Sequence, residues 1–98
     1  MKVKVVSTGI TDPDLIKKKL SEEGYSNIFS WSDSPHTFYD WHTHSYEEVR
    51  WVYSGKVVIG YEGGEVELKP GDRMDIEANT KHWAKTEEGV SYICGSKY

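Results

Sequence analysis

From Asn27 onward the chain changes to short β-like runs separated by turn signals, and no second convincing helix pattern appears. The breaks are Ser32-Asp33-Ser34-Pro35, Ser54-Gly55, Glu62-Gly63-Gly64 and Pro70-Gly71-Asp72. Before, between and after them lie eight β-like runs, at residues 28–31, 37–43, 48–53, 56–61, 65–68, 73–76, 82–86 and 90–94. Short strands at this spacing read as an all-β barrel or sandwich, and closing the sheet would also remove the exposed edges that so many strands create. Ahead of them, residues 3–6 read as a short strand. Thr11-Asp12-Pro13-Asp14 then reads as a helix start, with Asp12 as N-cap and Pro13 at the first helical position. Leu15, Ile16 and Leu20 form its apolar stripe and Gly24 stops it. No linker, repeat or low-complexity segment interrupts the 98 residues, so the expectation is one domain, with strand and helix in 1–24 and the barrel over about 27–96.

Charge narrows the partners. The formal net charge is −4, the largest basic cluster is Lys17-Lys18-Lys19, and no positive stripe suited to a phosphate backbone is present, so nucleic acid is not an expected partner. No apolar run approaches a membrane span, Met1-Lys2-Val3-Lys4 does not open as a signal peptide, and the one cysteine, Cys94, excludes an internal disulfide. The expected location is the cytoplasm and the expected partner a small molecule.

Three of the four histidines form one pattern. His42 and His44 stand two apart, a spacing that turns both imidazoles to one face of a strand. Glu48 lies four further on, with the same parity if the strand resumes after a break, and His82 opens a later strand. Three neutral imidazoles and a carboxylate converging inside a barrel suit one divalent first-row metal (Fe, Mn, Ni, Co or Zn) with coordination positions left open. Glu47 is the alternative carboxylate, although parity favours Glu48. His36 reads as a structural histidine, and Cys94, in register with Val90 and Tyr92, as a small buried hydrophobe.

These residues resemble a known family. His42-Thr-His44-Ser-Tyr-Glu-Glu48, followed after six residues by Gly55, is similar to the first cupin motif. Gly71, five residues, then Glu77-Ala-Asn79-Thr-Lys-His82 is similar to the second. The resemblance covers about 36–86 and implies a double-stranded β-helix, or jelly-roll, barrel with one short N-terminal helix. It also implies His42, His44, Glu48 and His82 as metal ligands, and Gly55 and Gly71 as turn residues. The sequence departs from the motifs at His36, which replaces a leading Gly, at Glu77 and Asn79, which replace Pro and Gly, and at Thr86, which replaces a final Asn. Asn79 retains access to the left-handed conformation a Gly would take.

Glu48-Val-Arg50 further resembles the acireductone dioxygenase version of the first motif, in which an Arg helps hold an anionic substrate. Alternation places Arg50 beside Glu48 in the lumen, where a guanidinium could grip a carboxylate or enolate as a catalytic residue or, alternatively, orient Glu48. Trp41, Trp51 and Trp83 each neighbour a lumen-facing position and are expected on the opposite face, under the helix or at the interface of a homodimer. The functional reading is a metal-dependent oxidoreductase of dioxygenase type acting on a small oxygen-bearing substrate. The alternatives are a metal-dependent isomerase in which Glu47, Tyr46 or Tyr53 moves protons, a non-catalytic metal- or ligand-binding module, and a metal that only staples the barrel.

Overall fold

Turns cut the chain where the sequence predicts, and the segments between them pair into two antiparallel sheets. In the computed structural model, which describes residues 2–98, the elements are β1 (Val3–Ser7), α1 (Pro13–Glu22), β2 (Ser26–Asp33), β3 (Thr37–His42), β4 (Glu47–Gly55), β5 (Val57–Tyr61), β6 (Gly64–Leu68), β7 (Asp72–Ile76), β8 (His82–Thr86) and β9 (Val90–Lys97). One sheet has the order β1-β7-β4-β9-β2 and the other β3-β8-β5-β6. The partnerships nest: β5 pairs with β6, β4 with β7, β3 with β8 and β2 with β9. A long hairpin folded over on itself into two facing sheets is the jelly roll that the family resemblance implies.

The helix begins as expected. Asp12 accepts a hydrogen bond from the Asp14 amide at 3.0 Å, and Pro13 sits where no backbone donor is needed. It covers the outer face of the five-stranded sheet, where Ile16 and Leu20 pack with Tyr25, Val49, Trp51 and Ile93. Leu15 does not join them and is 41% exposed. Its position one residue round the helix turns it about 100° away from the sheet. Alternation along β4 divides the sheet's two faces: Val49 and Trp51 point to the helix, whereas Val52 joins Val57, Ile59, Leu68, Met74 and Ile76 between the sheets.

The jelly roll takes its sandwich form, and one detail differs from expectation: the edges that closure would remove are still there, because β1, β2, β3 and β6 each end a sheet and pair on one side only among the described residues. Of the three tryptophans expected on the outer face, Trp51 lies under the helix as foreseen. It is 2% exposed, and its indole N–H donates to the Ile10 carbonyl. Trp83 lies on Gly60, where an added Cβ would come within 1.9 Å of the indole, and of these three only Trp41 is exposed, at 49%.

Candidate metal centre

The three motif histidines meet at one end of the space between the sheets, with one ligating nitrogen from each within 4.8 Å of the others. They arrive by a different local route from the one that strand parity predicts. β3 ends at His42, β4 starts at Glu47, and residues 43–46 between them form a loop, so His42 and His44 do not share a strand. Within β3 the pairing with β8 slips between Tyr39 and His42, passing from Tyr39↔Ala84 to His42↔His82. The extra residue of this bulge turns His42 to the same side as Tyr39 and directly opposite His82. The Asn79 amide donates to the His44 carbonyl at 2.7 Å and ties the loop to the turn before β8. Asn79 takes φ +62, the left-handed conformation foreseen for it, and His36 takes φ +67 where the motif carries Gly. His36 pairs with Glu87 at 3.2 Å on the surface and stays apart from the cluster.

Backbone carbonyls set the histidine tautomers. His42 Nδ1 donates to the Asp40 carbonyl at 2.6 Å and His82 Nδ1 to the Thr80 carbonyl at 2.9 Å. Each leaves its Nε2 lone pair free. His82 is fully buried, and burial pushes its imidazole down to about 4, so it is neutral at physiological pH. Burial likewise lowers His44. The Nε2 atoms of His44 and His82 are buried without a hydrogen-bond partner. An orphaned buried polar atom costs about 1–3 kcal/mol, and two in one histidine cluster fit a divalent cation as the missing partner.

Glu48 flanks this trio. Its Oε2 lies 3.6 Å from His44 Nε2, and its Oε1 accepts from Arg50 Nε at 2.8 Å. Arg50 is 8% exposed, sits 5.6 Å from the Tyr92 ring centre, and keeps Nη1 without a partner. Glu47 points to the helix side of the sheet, where it accepts from Tyr25 OH at 3.1 Å, so the choice of Glu48 over Glu47 follows from alternation along β4. Tyr53 also packs on the helix side, whereas Tyr46 stacks on His44 with ring centres 5.2 Å apart.

The histidines open onto a cavity of about 580 Å³. Glu48, Arg50 and Cys94 line it, together with Phe29, Trp31 and Tyr39, which the sequence reading leaves unassigned. Cys94 is 7% exposed and burial pushes its thiol up to about 12, which keeps it protonated and unreactive. The signal for the aromatic lining was present as alternation: Phe29 and Trp31 are two apart and pair with Cys94 and Tyr92.

Comparison with known proteins agrees with this architecture. A cupin domain is matched over residues 30–94, well over half the chain. No curated protein matches at a significant level. Among solved structures, a DUF861 family protein from Thermotoga maritima superposes with a TM-score of 0.69 at 19% identity, over 97% of this chain and 99% of that one. A cupin superfamily protein from Desulfitobacterium hafniense gives 0.63 at 12% identity, over 72% of this chain and 77% of that one. The DMSP lyase DddQ from Ruegeria pomeroyi gives 0.68 at 19% identity, over 72% of this chain but only 37% of that longer one. Identities this low speak to the fold alone. The nested strand pairs, the histidines gathered between the sheets and the domain match over 30–94 lead to one family: this chain belongs to the cupins.

Proposed function

We propose that the chain binds one divalent transition metal through His42, His44 and His82, with Glu48 as the fourth ligand, and uses it on a small oxygen-bearing molecule. The observation that carries the reading is the pair of buried, unpartnered Nε2 atoms on His44 and His82, grouped with His42. A bound ion of this class supplies Lewis acidity and, for a redox-active metal, one-electron chemistry with O₂. Arg50 holds Glu48 in place through Nε and offers Nη1 to an anionic group of the ligand. The resemblance of Glu48-Val-Arg50 to the acireductone dioxygenase motif supports oxidation of dioxygenase type. The isomerase alternative loses two of its three candidate proton carriers, because Glu47 and Tyr53 face the helix and only Tyr46 remains beside the histidines.

Exposed Phe38 and Trp41 on β3 support association with a second copy. No helix among the described residues is long and apolar enough to cross a membrane, and the one cysteine is a buried free thiol; together they support a cytoplasmic setting. Oxygen uptake tests the catalytic reading. Protein loaded in turn with Fe(II), Mn(II), Ni(II) and Co(II) is expected to consume O₂ with an enediol or diketone from a broad panel. Tight ligand binding with no uptake for any metal would overturn the oxidase reading in favour of a binding module.

A further inference from the structure

The cavity beyond the histidines has an aromatic wall that the fold builds but does not cover. Phe29 and Trp31 on β2 stand on the inner face with Tyr92 of β9, and Tyr39 faces them from β3. Inner-face positions of a sandwich are normally sealed, yet Phe29 is 46% exposed, Trp31 48% and Tyr39 37%. The reason is topological: β2 and β3 end their respective sheets, and the cavity opens between them.

The wall is also held rigidly. Asp33, two residues beyond Trp31 on the same face of β2, accepts from Trp31 Nε1 at 2.9 Å and from Tyr39 OH at 2.6 Å through Oδ1. Through Oδ2 it accepts from Tyr92 OH at 2.8 Å. One carboxylate thus fixes three rings from three strands and both sheets. An ordered aromatic wall loses little entropy when a flat molecule settles on it. Arg50, with its unpartnered Nη1, lines the same cavity on the side of the histidines. About 580 Å³ lies within the range of pockets that enclose small molecules.

We propose that this site takes a planar, conjugated anion, its oxygen pair directed to the histidine end and Arg50 and its ring held against Trp31, Phe29 and Tyr39. The proposal rests on the metal-binding reading above and adds to it the class of ligand. A small aliphatic acid would leave Trp31 and Tyr39, both held by Asp33, and Phe29 beside them without a function. A flat ring uses both ends of the cavity, with stacking at one and charge-assisted hydrogen bonds at the other.

The test titrates two chelators into zinc-loaded protein: 4-nitrocatechol, whose absorption reports binding, and acetohydroxamate, which offers two oxygens without a ring. Zinc binding itself is measured first by calorimetry, with a His42→Ala/His82→Ala variant as reference. Trp31→Ala is expected to weaken 4-nitrocatechol about tenfold and leave acetohydroxamate within about twofold. Phe29→Ala is expected to act in the same direction at about threefold, which guards against a defect peculiar to one variant. Equal weakening of both chelators, or no change in either, would overturn the aromatic site while the metal reading stands. No histidine-dependent zinc binding would instead remove the metal reading and this inference with it. If Trp31→Ala lowers the mass in solution and leaves 4-nitrocatechol affinity unchanged, the wall is an interface between copies, and the proposal fails.

Discussion

The two arginines of the chain occupy neighbouring strands of one sheet, and each is 8% exposed, but they sit in opposite kinds of surroundings. Arg73 faces the helix. Its Nη1 and Nη2 donate to Glu23 at 2.8 and 3.1 Å, Nε and Nη2 donate to Asp75 at 3.0 and 2.9 Å, and its guanidinium lies 5.1 Å from the Trp51 ring centre. Arg50 faces the space between the sheets, donates to Glu48 alone and keeps Nη1 unpartnered. The remaining orphaned side-chain atoms among the described residues are on His44, His82 and Thr80, all at the same end of the molecule. The helix side is thus satisfied by the chain's own atoms, and the cavity side is left to be completed by something that binds. A buried charge answered on every side stabilises a fold, whereas one answered in part marks a site.

The contrast can be broken by mutation. Arg73→Met leaves two carboxylates without their cation and is expected to cost about 2–3 kcal/mol in urea unfolding. That is below the roughly 3–5 kcal/mol for a fully buried pair, because Glu23 is 43% exposed. Arg50→Met strands Glu48, itself 8% exposed, and in metal-free protein is expected to cost at least as much on the same curve. The two faces separate on adding metal, which is expected to recover part of the Arg50→Met loss by pairing with Glu48 and none of the Arg73→Met loss. Equal recovery in both variants would mean that the division between the faces is wrong.

Next in size is a pH effect that belongs to the cavity side. His82 titrates near 4 in the folded chain against an ordinary value of about 6.5, so below 6.5 the unfolded state takes up a proton that the folded state refuses. Metal-free protein should therefore hold this contribution in full above pH 6.5 and lose it steadily towards pH 4. Thermal melts across that interval are expected to show the decline in the wild type and a flatter profile in His82→Gln. Identical slopes would assign the acid sensitivity elsewhere.

A third test stays with Arg50. In metal-loaded protein, Arg50→Met should weaken oxalate, a small chelating anion, by about tenfold while the metal is retained, as expected for loss of one charge-assisted hydrogen bond. Unchanged oxalate affinity would leave Arg50 only the task of orienting Glu48. The smallest effect is a control on the helix side. Asp12→Ala removes the N-cap and should cost about 1 kcal/mol of stability, with metal and oxalate binding unaltered.

Much of this was legible locally. The cap at Asp12, the turns at Gly55 and Gly71, and the alternation that puts Glu48 and Arg50 on one face of β4 are all set by neighbours a few residues apart. The three histidines were legible as residues, and the path that gathers them was not. Counting parity from His42 to Glu48 allows for a break, but it places His42 and His44 on one strand, whereas the chain uses a bulge after Tyr39 and a loop at 43–46. Trp51 could not be told from Trp41 by alternation, because only the packing of Ile16 and Leu20 decides which outer face is covered. The Asp33 clamp joins three strands, with Tyr92 59 residues away, and no local pattern announces it.

The central claim is that the cavity-side histidines hold one divalent metal. The most direct measurement is elemental analysis of protein purified without an affinity tag, beside the His42→Ala/His82→Ala variant, with circular dichroism confirming that both are folded. The account predicts about one equivalent of iron, manganese, nickel, cobalt or zinc in the wild type and none in the variant. A folded wild type that stays free of metal even after reconstitution would contradict it.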